Sequence, residues 1–151
     1  KEGKLSDLHI QAALRQIFTN VRLKTFVEVR GADRTPAGFE MAPVAFWTGI
    51  LTSEASRKKA LAEVTTWSTE ERHAWNKAAF CLDSSQAGPM GKSYGEWNCW
   101  AAGLAIDGLK ARGLGEETLL EPFFAAARVP FALQTQTKFR ESGLPLPAFL
   151  Q

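Results

Sequence analysis

The stretch Val21-Arg22-Leu23-Lys24-Thr25-Phe26-Val27-Glu28-Val29-Arg30-Gly31-Ala32-Asp33 constrains this chain more than any other. Its centre, Phe26 to Val29, is built from strand formers, and strand alternation puts residues i, i+2 and i+4 on one face. Read as one strand, it carries Arg22, Lys24, Phe26, Glu28 and Arg30 on one side and Leu23, Thr25, Val27 and Val29 on the other. Same-face neighbours stand roughly 7 Å apart, where two like charges cost about 2 kcal/mol at an effective dielectric near 20. The charged face therefore has to lie in open solvent or meet something anionic, while the apolar face suits burial under helices. A lone strand also leaves its backbone donors and acceptors unpaired. Few other runs here read as strands, so the partner strands are expected outside these residues.

The remainder reads as helices. Ser6 is suited to cap a first helix whose buried stripe would be Ile10, Ala13, Leu14, Ile17 and Phe18. Pro43 opens an apolar helix to Leu51, and Ser53 caps the next, with Ala60, Leu61 and Val64 turned inward. Ser68-Thr69-Glu70-Glu71 and Ser93-Tyr94-Gly95-Glu96 are capping boxes. The first starts a helix ending near Phe80. The second starts a long one with Trp97, Trp100, Ala101, Leu104 and Gly108 on one face, stopped by Gly113. Pro122 demands either a kink or a restart with the proline in the first turn. A last helix is expected over Pro130 to Glu141, ended by Gly143, with Leu144-Pro145-Leu146-Pro147 as an extended tail. The fold class expected is α+β, mostly α, with several helices packed on one or two strands, and residues 1–151 forming a single unit.

Composition excludes several functions. The 151 residues are 45% hydrophobic and 23% charged, enough apolar mass for one core. A net charge of +2 is too mild for a nucleic-acid binder, and no apolar run approaches the ~20 residues of a membrane span. Cys81 and Cys99 make no disulfide framework, so reduced packing thiols in a reducing, cytoplasmic setting are expected. The chain begins at Lys1, which is the expectation for a piece of a longer protein.

Most candidate motifs reduce to ordinary structure. Gly91-Lys92-Ser93 resembles the end of a phosphate loop, but Gln86 stands where the first glycine is needed, and a capped helix start explains it. His9 and His73 lack partners at metal-ligand spacing. Glu70-Glu71 and Glu116-Glu117 lie in helix first turns, where they offset the dipole. The charged strand is different. Glu28 and Arg30 put a carboxylate beside a guanidinium, a set that can hold Mg²⁺ and the phosphate it binds, with Arg22 and Lys24 adding positive charge. A solvated edge strand is the plain alternative.

The stretch Ile17 to Asp33 resembles glutamate–cysteine ligase of the plant and proteobacterial type, in which Val-Arg-Leu-Lys runs into Glu-x-Arg-Gly-Ala-Asp. The likeness continues through Pro43-Val44-Ala45-Phe46-Trp47 and Asp107-Gly108-Leu109-Lys110-Ala111-Arg112-Gly113, over roughly Leu5 to Ala127. It implies the C-terminal portion of an ATP- and Mg²⁺-dependent enzyme of the glutamine-synthetase-like fold. Such an enzyme joins the γ-carboxylate of glutamate to the amino group of cysteine, the first step of glutathione biosynthesis. Carried over, Glu28 is the metal ligand, Arg30 and Arg22 are catalytic, and Arg30 and Lys24 bind the nucleotide. The missing N-terminal portion would be the chief partner, and the chain alone is expected to be inactive. Thr19-Asn20 departs from the family's Pro-Glu, and Met41 stands where the plant enzymes carry a regulatory cysteine, so that switch is not carried over. The rival reading is a non-catalytic helical interaction module with a charged docking strand.

Overall fold

The computed structural model describes residues 6–16, 21–23 and 25–150, the side chains of 14–16 excepted. Lys24, Ile17 and Phe18 lie outside the described residues. The chain divides into two compact units, Lys1–Arg34 and Thr35–Gln151.

The first unit holds helix α1 (Asp7–Gln16) and strands β1 (Val21–Leu23) and β2 (Val27–Val29). Ser6 caps α1 as expected: its Oγ accepts from His9 N–H at 3.4 Å, and its own N–H donates to His9 Nδ1 at 3.2 Å. His9 thus takes the place that Glu holds in a capping box. The expected buried stripe fails at Ile10 and Ala13, both exposed.

The expected single strand is two strands. β1 and β2 pair antiparallel with Val21 opposite Val29, Arg22 opposite Glu28 and Leu23 opposite Val27. Thr25 and Phe26 lie in the bend between them, and Phe26 is exposed. Folding back solves two problems that a straight strand leaves open. Each strand finds backbone partners within the chain, and Glu28 comes opposite a cation. In one extended strand Arg22 and Glu28 would stand roughly 20 Å apart. On the face expected to be buried, Leu23, Thr25 and Val27 are exposed, Leu23 by 78%, and only Val29 is half-buried.

The second unit is helical: α2 (Ala42–Thr52), α3 (Glu54–Val64), α4 (Thr69–Ala78), α5 (Tyr94–Arg112), α6 (Glu121–Ala126), α7 (Phe131–Ser142) and α8 (Leu146–Phe149). Its helices pack on one another, α5 against α2 and α3 above all. The core joins α2, α5 and the turn before α6: Ala42, Ala45, Ile50, Ala105, Leu109 and Leu120 are buried, with Phe39, Phe46 and Phe123 against them. The chain as described is mostly helical with a small two-stranded sheet.

Local chemistry sets the helix ends. Ser53 Oγ accepts from Ser56 N–H, and both capping boxes form, at Ser68/Glu71 and Ser93/Glu96. Glu71 does more than cap α4. One carboxylate oxygen accepts from Ser68 N–H at 2.8 Å and the other from Met90 N–H at 2.9 Å. Those bonds, Met90's first, hold its pKa below the usual Glu value. Met90 needs the tie because its φ of 54° is left-handed and it is not glycine. The same turn is anchored by Trp97, whose indole N–H donates to Pro89 O at 2.9 Å. Trp97 packs edge-on against Trp67 and Trp100, and the Trp75 ring lies tilted against Trp67. Gly113 and Gly143 end α5 and α7 in the left-handed conformation.

Pro122 sits in the first turn of α6, so the restart is what forms. On α3 the inward residues are Ser56, Ala60 and Val64, while Leu61 is 60% exposed. The expected extended tail turns into α8, with Pro147 in its first turn. Cys81 and Cys99 are free thiols; Cys81 is half-buried and Cys99, expected to pack, is exposed. No helix of the described residues is long and apolar enough to cross a membrane.

Candidate active-site hairpin

Register creates the site. Because Arg22 and Glu28 are direct cross-strand partners, their side chains leave the same face of the hairpin. Arg22 Nε donates to Glu28 Oε2 at 2.7 Å, and Nη2 reaches the same oxygen at 2.7 Å. Their side chains are 23% and 31% exposed, so the pair is half-buried rather than in open solvent. Arg30 follows directly after β2 and is also half-buried. Of the four predicted residues, the structure brings Arg22 and Glu28 into contact, places Arg30 one step beyond β2, and leaves Lys24 outside the described residues.

The donor set is sparse. Among the described residues no three His, Cys, Asp or Glu side chains form a group able to hold a metal ion. Glu28 offers one carboxylate. That fits Mg²⁺, which takes one or two carboxylates and completes its shell with water and substrate phosphates. It does not fit a cation held wholly by protein. Guanidinium groups beside it suit phosphate oxygens.

The sequence profile of glutamate-cysteine ligase family 2 matches residues 3–110, most of the chain and all of the hairpin. The chain belongs to glutamate-cysteine ligase family 2. Among curated relatives, the chloroplastic glutamate–cysteine ligase of Medicago truncatula is 46% identical over 59 residues, 39% of this chain and 12% of that protein. The chloroplastic enzyme of Nicotiana tabacum is 46% identical over 59 residues, 39% of this chain and 11% of that protein. The chain therefore aligns with about an eighth or less of the length of these ligases. No solved structure matches.

Within this family member, the other two resembling motifs are devices of packing. In Pro43-Val44-Ala45-Phe46-Trp47, Pro43 lies in the first turn of α2 and Ala45 is buried. In Asp107-Gly108-Leu109-Lys110-Ala111-Arg112-Gly113, Gly108 and Leu109 are buried and Gly113 closes the helix. Lys110 pairs with Glu121 at 2.8 Å, which raises its pKa above the ordinary lysine value. Arg112 donates to Thr52 Oγ1 at 3.0 Å and pairs with Glu116. Sequence reasoning missed the Arg22–Glu28 pairing, yet a signal was present. Val21-Arg22-Leu23 and Val27-Glu28-Val29 are mirror-related about Thr25, with opposite charges at matched positions.

Proposed function

We propose that this chain forms one wall of the active site of an ATP- and Mg²⁺-dependent ligase that joins the γ-carboxylate of glutamate to the amino group of cysteine. The observation that carries the reading is the position of Glu28 and Arg30 within the family-matched residues, with the Glu28 carboxylate held half-buried on one face of the hairpin. Glu28 would hold Mg²⁺, and Arg30, with Lys24, would hold the phosphates. When bound, ATP supplies the phosphoryl group that activates the γ-carboxylate, and Mg²⁺ offsets the charge on the phosphates. The work of these side chains is to bind and orient: fixed cations near a developing negative charge need no reorganisation as the reaction proceeds.

One carboxylate and a few cations are too little for a complete site, so the 151-residue chain alone is inactive on this reading. The test is cysteine-dependent ADP release by the protein that carries this chain. Glu28→Ala should abolish turnover, since a metal ligand supplies several kcal/mol of transition-state stabilisation. Near-normal turnover in that variant overturns the assignment.

A further inference from the structure

We propose that Arg22 is a positioning residue that acts through Glu28. This rests on the ligase reading of Glu28 above and adds to it the group that orients the metal ligand. Two guanidinium nitrogens, Nε and Nη2, reach one carboxylate oxygen, Oε2, both at 2.7 Å. Nε donates to Oε2 and Nη2 stands as close to the same oxygen, so the guanidinium fork holds the carboxylate from one side. The pairing is not a chance encounter of long side chains, because strand register sets the two residues opposite each other. Each side chain is less than a third exposed, which limits competition from water.

Carboxylates that bind metals are themselves hydrogen-bonded by an outer layer of groups, and removing such a group typically weakens metal binding 10–100-fold. Arg22 has the geometry of that outer layer. Its cationic fork spends two donors on the ligand rather than offering them to substrate. Loss of Arg22 should therefore register first in metal affinity, and only through metal in the rate. A residue that grips glutamate or phosphate directly has the opposite signature.

The experiment compares wild type, Arg22→Gln, Arg22→Lys, Glu28→Gln and Arg22→Gln/Glu28→Gln in the protein that carries this chain. Mn²⁺ is titrated with a non-hydrolysable ATP analogue and followed by electron paramagnetic resonance, alongside ligase kinetics. Arg22→Gln should weaken Mn²⁺ binding about tenfold or more and raise the half-saturating Mg²⁺ to match, with KM for glutamate unchanged. Arg22→Lys should recover part of the loss, and Arg22→Gln should add nothing once Glu28 is Gln. A raised KM for glutamate with unaltered metal binding overturns the inference and leaves the ligase reading standing. Metal binding that depends on Arg22 and Glu28 in a wild type without ligase activity overturns the ligase reading alone. A wild type that binds no Mn²⁺ overturns the metal role of Glu28 and, with it, that of Arg22.

Discussion

Gly108 of α5 lies so close to the carbonyl oxygen of Gly49 in α2 that a side chain at Gly108 would overlap it. The converse holds too: a β-carbon at Gly49 would strike the backbone carbonyl of Ala105. The two helices touch backbone to backbone, and the distance between helix axes is set by what stands at the contact. Gly49→Ala or Gly108→Ala must push the helices apart, and overpacking of this kind costs about 3 kcal/mol. Gly103 lies in the same helix with open space around it, so Gly103→Ala should stabilise by roughly 0.5–1 kcal/mol. Chemical denaturation of the three variants checks the opposite signs.

Ser56 is 3% exposed, and its hydroxyl donates to Leu104 O at 2.8 Å, tying α3 to α5. Ser56→Ala removes that bond from a buried place, and a loss of about 1 kcal/mol is expected. Ser56→Cys keeps a donor at this place, though a weak one on a larger atom, so it should fall between wild type and Ala in the same denaturation series.

Glu71 predicts a pH dependence. Its pKa is depressed in the folded protein, first by the Met90 N–H and then by the Ser68 N–H. A depressed carboxylate contributes stability that is fully present above its unfolded value, about 4.3, and is lost as pH falls through the folded value. Glu71→Gln should thus be less stable than wild type at pH 7. The gap should shrink as pH drops through the carboxylate range, read from urea midpoints across pH 3 to 7 (about 4.3 being the turning point). A constant gap would mean that the carboxylate charge is irrelevant to the turn.

Leu120 lies beyond the family-matched residues, yet it is only 2% exposed and sits in the core with Ala42, Ala45 and Leu109. Phe123 and Phe131 pack on Phe39 from the same side, with ring centroids 5.7 and 6.0 Å away. Leu120→Ala should cost about 3 kcal/mol. Shortening the chain to residues 1–112 removes all three groups and should abolish cooperative unfolding, monitored by circular dichroism. A sharp transition in the shortened chain would show that the family-matched part folds without them.

How far these features were legible depends on the range over which their causes act. Ser68/Glu71, Ser93/Glu96, Gly113 and Gly143 act within one helical turn, so their roles could be read from neighbours alone. Pro122 left two local outcomes, and packing of Leu120 and Phe123 decides for the restart. The place of Ala105 and Leu109 was hidden because α5 carries apolar residues on more than one side, and only α2 determines which are buried. Alternation also cannot tell a straight strand from one folded back about an odd residue. Arg22 and Glu28 share a face in both, which is why the face was right and the strand was wrong.

The hairpin places a limit on length as well as on residue type. Leu23 pairs with Val27, and everything beyond follows from that spacing. One residue gained or lost between them would offset Arg22 from Glu28 and turn one strand's charged residue to the apolar side. Substitutions at Thr25 or Phe26 leave the count intact, whereas insertions and deletions there change the address of every residue downstream in β2. Among descendants of this sequence, the number of residues in the bend should prove harder to change than their identity.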